Sequence, residues 1–149
     1  ESNAASYYIL LPPEPEKINR DWRNILLHHY NLSNLGLMLT DSRSMPLRRG
    51  VVGVGLACAG FYPLRDYRGQ LDLFGRPMKI SQTNIVDSLA AAAVYVMGEC
   101  AEQTPTVIIR GDKDLHFTND DCSSELWLDP GEDIYEPLYH NFLPSGGRK

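Results

Sequence analysis

The apolar run at residues 51–59, VVGVGLACA, constrains the fold more than any other stretch of this chain. Its β-branched residues read as a strand, yet Gly53 and Gly55 interrupt it and Gly60 follows it, so one face is thinned of side chains. A strand of this kind either meets another backbone closely or carries a bulge. Its glycines do not fit the spacing of a dinucleotide-binding fingerprint and no helix follows, so the run is read as structural. Residues 35–39, LGLML, form a second short buried strand that delivers Thr40, Asp41 and Ser42 at its C-terminal end.

Helical periodicity appears twice. Over residues 14–30 the positions Ile18, Trp22, Ile25, Leu26 and Leu27 recur at three-to-four spacing, with Pro15 suited to a first turn. His28 and His29 fall in the last turn, where they read as helix-end cations rather than metal ligands. Over residues 84–98, Asn84 and Asp87 make a helix start, Ile85, Ser88, Leu89, Ala92 and Val96 share a face, and Gly98 ends the run. Alanines at 90 to 93 permit tight packing. Residues 63–81 are loop-rich, with 78–80 as their strand; residues 7–11 and 106–110 read as further strands, the latter in the core. Beyond Gly111 the chain is acidic and punctuated by proline, which describes a peripheral tail over 112–149. No repeat or Gly/Ser linker divides it, so residues 1–149 are expected to form one α+β unit, a mixed or antiparallel sheet packed with helices.

Charge and cysteine content exclude several function classes. The net charge is −5 with both signs interspersed, so no basic stripe suits nucleic acid. The alanine-rich stretch 88–97 is far too short for a bilayer, which points to a soluble, cytoplasmic protein. Cys58, Cys100 and Cys122 match neither zinc spacing nor a disulfide framework and read as reduced thiols, with Cys58 buried.

Asp41 between the hydroxyls of Thr40 and Ser42 has the hard oxygen character that Mg²⁺ or Mn²⁺ prefers, although such a triplet also serves as a turn or helix cap. Glu99 either brings a second carboxylate to it or is a solvated helix end. Arg48 and Arg49 are candidate anion-binding cations, or ordinary surface arginines. Asp66, Arg68, Asp72 and Arg76 alternate in sign, the pattern of internal ion pairs that hold a loop. No nucleophile elbow, zinc-protease helix, Walker A loop or Cys-x-x-Cys pair occurs, so nucleophilic hydrolysis has no support.

Thr40-Asp41-Ser42, the run PLRDYRG through DLFGRP to QTN at residues 63–84, and the alanine-rich helix after it together resemble the gamma-glutamyl ligases that extend coenzyme F420, the CofE family. The resemblance covers residues 1 to about 111. It implies a CofE-like fold, an intertwined homodimer, and a GTP-dependent ligase that phosphorylates the carboxylate of coenzyme F420-0 and joins it to L-glutamate; some relatives use folate instead. It implies two divalent cations, Mn²⁺ or Mg²⁺, with Asp41 as a ligand, and Ser42 and Glu99 as ligands of the second metal. Asn3 and the segment Met97, Gly98, Glu99, Cys100, Ala101, Glu102, Gln103 and Thr104 match nucleotide-contacting positions. The family motif Gly-Ile-Asp-Glu-Ser-Asn enters this chain only at Glu1, so the resemblance is to the C-terminal portion of a ligase, and the N-terminal GTP-binding portion is expected from elsewhere in a longer chain or from another polypeptide. Met45 stands where relatives commonly carry Arg, and Cys100 where they carry Gly. Those departures leave a noncatalytic module of the same fold as the alternative.

Overall fold

A computed structural model describes residues 10–139. The chain runs through α1 (Pro15–His29), β1 (Leu37–Ser44), β2 (Val51–Ala59), β3 (Leu64–Asp66), β4 (Gln82–Asn84) and α2 (Ile85–Met97), then two single 3₁₀ turns and α3 (Glu136–Tyr139). β1 and β2 form one antiparallel hairpin and β3 and β4 another, so the architecture is α+β.

The glycines of β2 set the packing. Pairing runs from Leu37 with Ala59 to Ser44 with Val51, but slips between Leu39 and Thr40, which leaves Leu56 as an extra residue. That bulge resets the alternation of side chains. Met38, Thr40 and Ser42 therefore share a face with Cys58, Gly55 and Gly53. α2 lies on this face so closely that a Cβ on Gly53 would come 2.3 Å from the Ala90 carbonyl oxygen, and one on Gly55 2.2 Å from Val86 Cγ1. Val86, Ala90 and Ala93 are consequently the buried positions of α2, rather than the stripe of Ile85, Ser88, Leu89, Ala92 and Val96. Backbone contact with a glycine strand selects the smallest side of the helix, not its largest.

Asn84 caps α2 by accepting the Asp87 N–H at 2.9 Å, and the Asp87 carboxylate accepts both Asn84 Nδ2 at 2.7 Å and the Gly55 N–H at 2.8 Å. One carboxylate thus pins the helix start to β2. Asp87→Ala is expected to cost about 1–3 kcal/mol by stranding the half-buried Gly55 N–H, measurable as a lower urea midpoint with unchanged m-value.

α1 begins with Pro15 in its first turn and lies against the hairpin through polar groups. Asn19 Nδ2 donates to the Leu37 carbonyl at 2.9 Å and Arg23 Nε to the Leu35 carbonyl at 2.7 Å. Its apolar residues Trp22 and Ile25 are instead each 58% exposed. The core comprises Cys58, Phe61 and Val86, with Met38, Ile85, Leu115 and Leu126 packed on it. Part of the stretch after Gly111 returns to this core: Phe117 bridges Phe61, and Arg23 Nη2 reaches Asn119 Oδ1 at 3.0 Å.

Three strand expectations are corrected, and a fourth lies mostly outside the described residues. Thr40, Asp41 and Ser42 lie inside β1, because its ladder continues to Ser44. Residues 78–80 form no strand; the pairing falls on β3 and β4, while Ile80 is exposed. Residues 106–110 pair with no strand among the described residues, and Ile108 and Ile109 face solvent. The strand expected at 7–11 falls mostly outside the described residues, and Leu10 and Leu11 belong to no strand. The loop-rich excursion between β3 and β4 is held by the expected ion pairs, Asp66 with Arg68 at 2.5 Å and Asp72 with Arg76 at 2.9 Å. Its tip presents Leu73 and Phe74 to solvent. Among the described residues no helix is long and apolar enough to cross a membrane.

Candidate functional site

Ser42 and Glu99 are 57 positions apart in sequence, and Ser42 Oγ donates to Glu99 Oε2 at 3.1 Å. Two local features produce this contact. Ser42 pairs with Gly53 in the ladder and so projects on the side that carries α2. Gly98, at φ 79°, ends α2 with its N–H on the Val94 carbonyl at 3.0 Å and turns the chain so that Glu99 meets the strand.

Asp41 stands apart from that pair. Neighbouring strand residues project to opposite faces, so Asp41 lies across β1 from Ser42, and its Oδ1 accepts the Ser42 N–H at 2.8 Å. Arg43, which sequence reasoning did not single out, shares the face of Asp41; extending the strand to Ser44 would have revealed it. Arg48 and Arg49 are exposed in the turn between β1 and β2, two ladder pairs from Ser42.

The segment after α2 forms a tight turn. The Glu102 carboxylate accepts the Cys100 N–H at 2.8 Å and sits where a Cβ on Gly98 would come 2.3 Å from Glu102 Cδ. Gln103 adopts φ 56°, and Thr104 Oγ1 donates to the Glu102 carbonyl at 3.2 Å. Met97 through Thr104 are therefore one continuous feature, with Ala101 exposed at its apex. Asn3 lies outside the described residues.

The donor set is all oxygen: two carboxylates and a hydroxyl. Such donors fit Mg²⁺ or Mn²⁺, and their division across β1 fits separate metal positions better than one shared ion. Among the described residues, no three His, Cys, Asp or Glu side chains gather as a ready-made cage.

Residues 1–111 match the protein family described as F420-0:Gamma-glutamyl ligase. The chain belongs to that family. It is 43% identical over 112 residues to the Coenzyme F420:L-glutamate ligase of Methanopyrus kandleri, an alignment covering 74% of the chain and 44% of that relative. It is 36% identical over 135 residues to the protein of the same name from Methanococcus maripaludis strain C7, covering 91% of the chain and 53% of the relative. With the Methanocaldococcus jannaschii relative of that name, identity is 37% over 115 residues, covering 74% and 44%. The chain thus spans about half the length of the curated relatives it matches. Asp41, Ser42 and Glu99 all lie inside the stretch that matches the F420-0:gamma-glutamyl ligase family.

The three thiols of this family member are unpaired, Cys100 exposed in the turn and Cys58 and Cys122 buried. Burial, then the neighbouring Cys122 thiol and Asp121, pushes the Cys58 thiol up to about 11. At pH 8 Cys58 is therefore protonated as well as enclosed. Maleimide in native buffer is expected to label Cys100 and to reach the other two only in urea; equally fast labelling of Cys58 would contradict this packing.

Proposed function

We propose that this chain carries the metal and phosphate end of a GTP- and divalent-metal-dependent gamma-glutamyl ligase. The observation that carries the reading is the Ser42–Glu99 contact, which joins two oxygen ligands within a chain of the F420-0:gamma-glutamyl ligase family. The acceptor is coenzyme F420-0, in keeping with the names of the relatives; folate, which also ends in a carboxylate, is the second candidate.

In this mechanism an acceptor carboxylate oxygen attacks the γ-phosphorus of GTP and releases GDP. The amine of L-glutamate then attacks the acyl carbon of the resulting acyl phosphate, a C–N bond forms, phosphate leaves and the nitrogen gives up a proton. Mn²⁺ or Mg²⁺, when bound, supplies neutralisation of the triphosphate. Asp41 on one face of β1, and Ser42 with Glu99 on the other, would hold the divalent cations, whose charge would neutralise the triphosphate. The turn from Met97 to Thr104 contributes backbone groups to the nucleotide, and Arg48 and Arg49 offer guanidinium donors to its phosphates. Orientation of carboxylate, phosphorus and amine supplies much of the remaining rate.

Exposed Trp22 and Ile25 on α1, with Leu73 and Phe74 on the excursion, favour an assembly that covers them, either an intertwined homodimer or the polypeptide that completes the GTP site. The cytoplasm, with its GTP, suits the reaction. A noncatalytic module of the same fold is the rival, favoured by Met45 and Cys100 at positions where relatives commonly carry Arg and Gly. Calorimetric titration of the natively purified protein, with every co-purifying polypeptide retained, separates the two. The ligase is expected to bind Mn²⁺ far more tightly with GTP than without it; metal binding indifferent to GTP would favour the module.

A further inference from the structure

Arg23 is a buried cation without a counter-ion. It is 8% exposed, and among the described residues no carboxylate lies within ion-pair distance of it. Its hydrogen bonds go to neutral acceptors, from Nε to the Leu35 carbonyl at 2.7 Å and from Nη2 to Asn119 Oδ1 at 3.0 Å. Both N–H groups of Nη1 remain. No buried polar side-chain atom lacks a partner among the described residues, so Nη1, which has none, is open to the cavity that Arg23 lines. That cavity measures about 110 Å³ and lies where α1 meets the end of β2 and residues 119–122 of the returning segment. Ala59 on its wall pairs with Leu37, which is about 16 Å along β1 from Ser42 at the rise of a strand.

The other polar groups around the cavity are donors or are already engaged. Asn119 gives its Oδ1 to Arg23, which leaves its Nδ2 as a donor, and Asn24 adds a second amide from α1. Asp121 is neutralised by Arg20 at 2.5 Å and also accepts from the N–H and hydroxyl of Ser123. Asp120 accepts from the Thr118 hydroxyl at 3.2 Å and is exposed, so solvent screens its charge. A buried guanidinium is costly unless an opposite charge answers it, and here there is room for that charge to come from solution. We infer that the cavity is a binding site for a small free carboxylate, of the size of formate or acetate, seated on Arg23 Nη1 and the Asn119 amide.

Size and charge set the ligand class. A cavity of about 150 Å³ takes benzene, so about 110 Å³ suits about four or five heavy atoms, fewer than any substrate of the proposed ligation has. A carboxylate meets a guanidinium with two oxygens, which chloride does not offer. Asp120 opposes a dianion such as phosphate more than it opposes a monoanion. Once seated, the carboxylate ties α1 to the returning segment, so its binding is read as stability.

The test is thermal unfolding of the natively purified protein, with every co-purifying polypeptide retained, in acetate, formate, phosphate or chloride at equal ionic strength. Line broadening of ¹³C-acetate measures binding directly. A ligand this small is expected to reach a Kd of about 1 mM, so acetate at about 100 mM should raise the midpoint about 5 °C or more above that in chloride. Asn119→Asp puts a carboxylate oxygen where Arg23 Nη2 already donates. Asn24→Asp brings one to the same cavity from an exposed position on α1, which preserves the test if Asn119→Asp does not fold. Each folded variant is expected to unfold in chloride near the midpoint that wild type reaches in acetate, and to bind ¹³C-acetate about tenfold more weakly or worse. Acetate that does no more for wild type than chloride overturns the site. A gain from acetate that the folded variants keep in full marks a general salt effect and overturns it too. Phosphate that stabilises wild type as much as acetate overturns the choice of a carboxylate.

Discussion

Gly60→Ala is expected to destabilise this protein by about 3–5 kcal/mol, a large share of the stability of an ordinary domain. Gly60 sits at φ 90°, where an L side chain is strained, and its added Cβ would come 2.1 Å from Arg23 Nε and 2.2 Å from the Leu35 carbonyl oxygen. Those two atoms are themselves joined by a 2.7 Å hydrogen bond. A methyl group inserted between them displaces a buried guanidinium, which also holds Asn119, and leaves its charge without partners. The Gly60 carbonyl accepts from the Thr118 N–H at 3.1 Å, so α1, the approach to β1 and the returning segment all meet at this residue. Gly69→Ala is the control: φ is 83° there too, but nothing lies within 4 Å of the added Cβ, and the cost is expected to be about 1 kcal/mol. Equal urea midpoints for the two variants would contradict the steric account.

Glu99→Gln and Asp41→Asn are each expected to lower metal-dependent GDP formation by about 100-fold or more. Loss of a group that merely orients a ligand costs about 10–100-fold in metal affinity or activity, so loss of a ligating charge belongs at or beyond the upper end. Both side chains are exposed, so the fold survives their replacement. On the proposed ligase reading, Ser42→Ala would remove a neutral and weaker ligand and is expected to cost about tenfold. Excess Mn²⁺ should partly restore Glu99→Gln if the defect is one of binding. Unchanged turnover in Asp41→Asn would remove that residue from the mechanism.

What was legible in the sequence was local. Pro15 and the spacing after it mark α1, Asn84, Asp87 and Gly98 bound α2, and the β-branched run at 51–59 coincides with β2. What was not legible depends on partners remote in sequence. The glycines announced a close approach or a bulge, and both occur, but which side of α2 meets them depends on the Leu56 bulge. The apolar stripe of α1 suggested core packing, whereas Asn19 and Arg23 make the attachment because they reach carbonyls left open at the start of β1. Residues 106–110 have the composition of a strand and no neighbour to pair with among the described residues. Asp41, Ser42 and Glu99 were candidates from motif resemblance, but the meeting of Ser42 with Glu99, and the separation of Asp41 from both, follow only from ladder register and the turn at Gly98.

The most direct test of the central claim is intact-mass analysis of coenzyme F420-0 after incubation with the natively purified protein, GTP, Mn²⁺ and L-glutamate, with GDP and phosphate quantified in the same reaction. The ligase account predicts an acceptor heavier by one glutamyl residue, with one GDP and one phosphate released per amide formed. An unchanged acceptor, or GTP consumed without any amide, would contradict it.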